Sequence, residues 1–191
     1  MPWLIVTLGY LLGSIPTAYI AERLLKGRDI RQMGDGNMGA ANAFQQLGAK
    51  TGVAVGIIDA GKGTLAILIA QTATLPQIAI LITGLAAVVG HNWPIFIGFR
   101  GGRGEATTIG ILLTLITKPL LIVAGPSLVV LAITKKVTIA SIFLFVPLPL
   151  VCWWLKVPGV LIIYSLALPC LVGFTHFLTT RQVRTSSSRG T

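Results

Sequence analysis

The sequence predicts an all-α fold: a polytopic integral membrane protein of seven transmembrane helices joined by glycine-rich loops on the cytoplasmic side. Three observations predict it. Hydrophobic residues make up 54% of the 191 positions and charged residues only 10%, where a typical soluble domain has about 25% charged residues. The mean hydropathy of +0.86 leaves too little polar surface to cover a water-soluble body. The apolar residues also gather into runs at 3–25, 53–75, 76–97, 106–117, 120–134, 137–155 and 157–179, and a membrane-crossing helix needs about 20 apolar residues. A soluble enzyme, a disordered chain and a disulfide scaffold are thereby excluded. Residues 1–180 read as a single transmembrane domain and 181–191 as a short, basic, disordered tail.

The first run has no basic segment before it and no small-residue cleavage site, so it reads as a span and not as a removed signal. The second and third runs meet at Thr74-Leu75, a minimal connection. The fourth and fifth are short and split by Lys118-Pro119, which fits two tightly turned spans or one long kinked helix. Charge arbitrates. With seven spans and the N-terminus outside, the inner side carries Arg23, Lys26, Arg28, Arg31, Lys50, Arg100, Arg103, Lys135, Lys136, Arg181, Arg184 and Arg189, and the outer side only Lys118 and Lys156. Merging the fourth and fifth runs would put Lys135 and Lys136 on the wrong side of this positive-inside asymmetry. Trp93, Trp153 and Trp154 suit the interfacial belt. The net charge of +10 is scattered between apolar runs without a basic stripe, so it speaks for anionic lipid or phosphate and against nucleic acid. Cys152 and Cys170 sit in apolar runs as packing residues.

Two familiar signatures fail on context. Gly34-x-Gly36-x-x-Gly39 has no strand before it, as a dinucleotide fingerprint requires, and Gly56 to Lys62 is followed by Gly63, where a P-loop has Ser or Thr. What remains are two long inner loops. Gly34-Asp-Gly-Asn-Met-Gly-Ala-Ala-Asn42 lies in the first and Gly98-Phe-Arg-Gly-Gly-Arg-Gly-Glu105 forms the second. Glycine-rich turns present backbone N–H groups that can cradle an anion, and helix starts add positive dipole. Gly101, Gly102 and Gly104 with Arg100 and Arg103, opening onto the helix at Ala106, have this form. Asp59 and Lys62 share one helix face and call for pairing or a polar cavity inside the membrane. His91 opens the polar stretch His-Asn-Trp-Pro at the inner end of the third span, and His176 lies near the end of the seventh. Neither has a Cys or carboxylate cluster at ligand spacing, so no metal and no cofactor are expected.

Four segments fall in the order and spacing of one family: Gly-Ser-Ile-Pro-Thr-Ala-Tyr at 13–19, Gly-Asp-Gly-Asn-Met-Gly-Ala-Ala-Asn at 34–42, Asp-Ala-Gly-Lys-Gly at 59–63 and Gly-His-Asn-Trp-Pro-Ile-Phe-Ile-Gly-Phe-Arg-Gly-Gly-Arg-Gly-Glu-Ala-Thr at 90–107. The chain resembles the bacterial acyl-phosphate:glycerol-3-phosphate acyltransferases, the PlsY family, over nearly its whole length. The resemblance implies a seven-helix membrane enzyme of phospholipid synthesis, with its site open to the cytoplasm. Such an enzyme moves a fatty acyl group from acyl phosphate to glycerol 3-phosphate to give lysophosphatidic acid. It implies His91, Lys62 and Arg103 as positioning and charge-stabilising groups. It implies Gly36, Asn37, Gly39, Asn42, Arg100, Gly101, Gly102, Gly104, Thr107, Ser141 and His176 as binding residues. Partners would be the two substrates, membrane lipid and the enzyme that makes the acyl phosphate, with no nucleic acid. The chain departs from the family pattern: Asp35 and Ala41 stand for Ser and Thr, Gln45 for Arg, Arg103 and Glu105 for the Lys and Val of Gly-Gly-Lys-Gly-Val, and Thr179 for the Asn of His-x-x-Asn. Readings from other classes are a non-catalytic homologue that binds lipid phosphate or a partner, and a small anion transporter. Short outer loops and inward-biased polar groups speak against the transporter.

Overall fold

The computed structural model describes residues 2–187, with side chains over 2–179. Among the described residues ten α-helices follow one another: α1 Pro2–Gly13, α2 Thr17–Lys26, α3 Ala40–Leu47, α4 Ala49–Thr72, α5 Gln77–Asn92, α6 Glu105–Leu115, α7 Thr117–Thr134, α8 Val137–Phe145, α9 Leu148–Trp154 and α10 Gly159–Ser187. Six stretches among the described residues are long and apolar enough to cross a bilayer: Pro2–Lys26, Ala49–Thr72, Gln77–Ile97, Thr117–Thr134, Val137–Trp154 and Gly159–Thr179. They fall on six of the seven expected runs. The remaining run is α6, apolar but only 11 residues long. At 1.5 Å per residue that is about 16 Å, half the ~30 Å hydrocarbon core, so by length and composition alone six of the seven expected runs qualify as full-length spans among the described residues. The break before α7 falls at Ile116 and not at Lys118-Pro119. Pro119 is accommodated in the first turn of α7, where a missing N–H costs nothing. The tail expected at 181–191 falls on the last turns of α10 and, from residue 188, outside the described residues.

The chain folds as two compact units, one of Met1–Ile111 with Leu171–Thr191 and one of Leu112–Cys170. In the first, α1 and α5 cross closely through small residues. A Cβ at Gly13 would run into the Ala87 carbonyl, and one at Gly90 into that of Tyr10. Lipid gives no hydrophobic drive for helices to associate, so close backbone approach of this kind supplies the van der Waals contact instead. One end of this unit is a small core of Ala18, Ile30, Met38, Ala43 and Val55 that seats the first loop on α2, α3 and α4. In the second unit, the Ser127 hydroxyl of α7 donates to the Ala140 carbonyl of α8 at 2.8 Å. Cys152 is buried and Cys170 exposed, both unbridged.

Burial is inverted relative to a soluble protein. Large apolar side chains such as Leu4, Ile57, Ile58, Leu121 and Leu150 face outward, while Ser14, Asn42, Asp59, Lys62, His91 and Thr107 are buried. That is the pattern a hydrocarbon solvent selects, since polar groups there must be satisfied inside the protein. Trp153 and Trp154 are exposed at the end of α9, as an interfacial belt requires.

Candidate functional site

The site begins with a helix break. Pro16 cannot donate to the preceding turn, so α1 stops at Gly13 and α2 starts at Thr17. The break exposes the Ile15 carbonyl, and Lys62 of α4 reaches it with Nζ at 3.0 Å. The same ammonium lies 2.9 Å from Asp59 Oδ1. That carboxylate oxygen also accepts from the Thr17 hydroxyl at 2.9 Å and has His91 Nδ1 of α5 at 3.7 Å. Asp59, Lys62 and His91 are 1%, 6% and 6% exposed. A charge pair this dry must be compensated internally, and the break provides an acceptor and a donor together. A cavity of about 10 Å³, the room of a single water, lies against Ile15, Pro16, Thr17, Met38, Lys62, His91, Pro94 and Gly102. Asp59 Oδ2 is buried without a partner.

His91 carries this cluster to the second loop. A Cβ on Gly102 would collide with His91 Nε2, so only glycine lets the loop rest on the imidazole. The amides of Gly101 and Gly102 donate to the carbonyls of Asn92 and His91, both at 3.1 Å. This corrects the expected anion cradle: these two N–H groups cap the C-terminal end of α5 and are already engaged. The loop is glycine-rich for close approach to α5.

The first loop is held by Asn42, whose amide donates to the carbonyls of Met33 at 3.0 Å and Asn37 at 2.9 Å, from a position 2% exposed. Gly36, at φ +68°, takes the left-handed turn that lets the Asn37 amide donate to Asp35 Oδ1 at 3.1 Å. Gly39 precedes α3 as its N-cap. Two bridges tie this loop to the second. Arg103 Nη2 pairs with Asp35 Oδ2 at 2.9 Å, and Arg31 Nη1 donates to the Ile97 carbonyl at 3.0 Å. Arg31 also pairs with Asp29 at 2.7 Å. This hydrogen-bonded guanidinium lowers the Asp29 carboxyl pKa from its ordinary value, and the carboxylate in turn raises that of Arg31.

The expected residues therefore divide. Lys62, His91, Gly102 and the Arg103 backbone form one continuous polar path, and Asn37 and Asn42 are buried parts of the adjoining loop. The Thr175 hydroxyl of α10 donates to the Arg103 carbonyl at 3.1 Å, which brings the turn carrying His176 to the second loop. Thr107 is buried with its hydroxyl unpartnered. Arg100 is exposed. Ser141 belongs to the second unit and its hydroxyl bonds back to Val137 O at 2.8 Å within α8. The sequence did not single out Thr17, the buried and unpartnered side chain of Asn92, or Glu22, whose carboxylate oxygens are buried without partners. Pro16 was the available signal for Thr17, since a residue that opens a helix beside a break has its hydroxyl free to point inward. Among the described residues no group of His, Cys, Asp and Glu is placed to hold a metal.

The family described as Glycerol-3-phosphate acyltransferase matches residues 3–185. Glycerol-3-phosphate acyltransferase 4 of Dehalococcoides mccartyi is 50% identical, over 96% of this chain and 100% of that protein. Glycerol-3-phosphate acyltransferase 1 of the same organism is 39% identical, over 92% and 87%. Among solved structures, the glycerol 3-phosphate form of PlsY (YgiH), an integral membrane glycerol 3-phosphate acyltransferase, superposes with a TM-score of 0.85 at 31% identity, covering 97% of this chain and 92% of that one. Its lysophosphatidic acid form gives 0.80 at 29% identity, with the same coverage.

Proposed function

Because the chain belongs to the glycerol-3-phosphate acyltransferase family, we propose that it transfers a fatty acyl group from acyl phosphate to glycerol 3-phosphate. It is a multi-pass membrane acyltransferase of lipid synthesis. In the reaction, the hydroxyl oxygen of glycerol 3-phosphate bonds to the acyl carbonyl carbon and the bond from that carbon to the phosphate oxygen breaks. Lysophosphatidic acid forms, and the hydroxyl proton is balanced on the released inorganic phosphate. Acyl phosphate is already activated, so the protein's task is to bring two phosphate-bearing molecules together and to stabilise charge.

The observation that carries this reading is the joining of the two glycine-rich loops at Arg103, whose neighbour Gly102 rests on His91 of the buried Lys62–Asp59–His91 cluster. Arg103 presents a guanidinium suited to phosphate. Lys62 and Asp59 lock the α1–α2 break, and His91 fixes the height of the second loop through Gly102. Asn42 keeps the first loop folded around Gly36 and Asn37. Arg100 adds positive charge at the exposed edge of the second loop, and Thr107 and His176 contact substrate. The termini lie outside (N) and in the cytoplasm (C) of a bacterial plasma membrane, with the site facing the cytoplasm, where an acyl-phosphate-producing enzyme delivers the donor.

The test is transfer by the purified full-length protein in lipid nanodiscs, with labelled glycerol 3-phosphate and either acyl phosphate or acyl-CoA. Turnover with acyl phosphate alone is expected. Equal or faster turnover with acyl-CoA refutes the donor assignment, and none with either donor favours the non-catalytic homologue.

A further inference from the structure

The Asp35 carboxylate has its two oxygens on two different loops. Oδ1 accepts the Asn37 amide at 3.1 Å and Oδ2 holds Arg103 Nη2 at 2.9 Å. A backbone N–H from a glycine-rich turn and a guanidinium are the donors that a phosphate group takes. Arg103 is positioned for such a ligand. Its carbonyl is tied to Thr175, its side chain is 17% exposed, and its Nε is buried with no partner. The guanidinium is therefore only partly used by Asp35. The carboxylate itself is 45% exposed, so it can swing into water without leaving an uncompensated buried charge.

We propose that Asp35 sets this protein's affinity for substrate phosphate, as an internal carboxylate that occupies Arg103 and the Asn37 amide until a phosphate displaces it. The proposal rests on the reading of Arg103 as a phosphate donor. A phosphate dianion outcompetes the single negative charge of Asp35, whereas with both anions present the like charges repel. The cost is graded because the pair is partly exposed and worth little in water. Asp35 thus raises the substrate concentration at which the site fills.

The test uses the full-length protein in nanodiscs and two readouts: KM for glycerol 3-phosphate, and competitive inhibition by inorganic phosphate. Asp35→Asn keeps an acceptor for the Asn37 amide and removes the charge. Both KM and the inhibition constant for phosphate should fall about two- to fivefold, the range that an exposed ion pair controls, with kcat changing less than KM. In an Arg103→Gln background the same substitution should leave KM unmoved, because the two residues act as one pair. A second readout needs no turnover: the rise in thermal midpoint at a fixed concentration of inorganic phosphate should be larger in Asp35→Asn than in the parent. A KM that stays or rises, or a phosphate-induced shift no larger than the parent's, overturns the proposal and makes Asp35 a tether between loops. If Arg103→Gln alone leaves KM and phosphate inhibition unchanged, the reading of Arg103 has failed, and the proposal falls with it.

Discussion

Replacing Lys62 by methionine removes one of two opposite buried charges and leaves the other in place. The structure sets the size of the effect. Lys62 Nζ satisfies Asp59 Oδ1 at 2.9 Å and the Ile15 carbonyl at 3.0 Å, and the Asp59 side chain is 1% exposed. After the substitution the Thr17 hydroxyl is the remaining hydrogen bond to that carboxylate, beside a cavity with room for a single water. Breaking a buried pair from one side costs about 3–5 kcal/mol. For a chain of this length each kcal/mol moves the thermal midpoint by roughly 2–4 °C, so Lys62→Met should unfold roughly 6–20 °C lower in detergent. Asp59→Asn in the same background removes the stranded charge and should recover a large part of the loss. The assay is a double-mutant cycle on thermal or denaturant unfolding of the detergent-solubilised protein. Asp59 and Lys62 lie three residues apart on α4, and the yardstick for a polar contact inside a membrane protein is the coupling measured between helices, about 0.6 kcal/mol on average and at most about 1.7. A coupling above that upper value is expected here. A value near the lower one would mean that Lys62 and Asp59 are an ordinary polar contact and that the helix break is held by something else.

Two further outcomes follow from the same geometry. Gly102→Ala pushes a methyl group into His91 Nε2 and should lower kcat/KM on the order of 10²-fold, the cost of about 1 Å of misplacement at a reacting centre. Gly61→Ala, whose new Cβ meets nothing within 4 Å, should leave kinetics unchanged, and equal losses in the two variants would refute the role of the His91 contact. For topology, single cysteines at the exposed positions Arg28 and Arg100, with Cys152 and Cys170 replaced by alanine, should resist a membrane-impermeant thiol reagent in intact cells, while one at Lys156 should react. Labelling of either loop from outside would invert the orientation.

The amino-acid sequence by itself determined the solvent, the helices and the family. A bilayer writes its signature along the chain as runs of apolar residues, a one-dimensional property, and the four ordered motifs needed no coordinates to be read. The α1–α2 break had a local signal in Pro16, whose missing N–H acts on its own turn, although the run 3–25 read as one span. Only the tertiary structure decided who meets whom. Asp59 takes a hydrogen bond from a hydroxyl 42 residues away, and Asp35 pairs with an arginine 68 residues away. Asp35 read from the sequence only as a departure from the family's Ser, and its partner Arg103 lies on the other loop. The amides of Gly101 and Gly102 read as an anion cradle, although α5 had already claimed them. The expected fourth run became the 11-residue α6, whose helix stops at Leu115, before the Lys118-Pro119 that marked the boundary in the sequence. In each case the residue types fixed what a group can donate or accept, while the partner depended on which helices cross and how closely. That crossing is set by small residues such as Gly13 and Gly90 on facing helices, and nothing local to either helix names its partner.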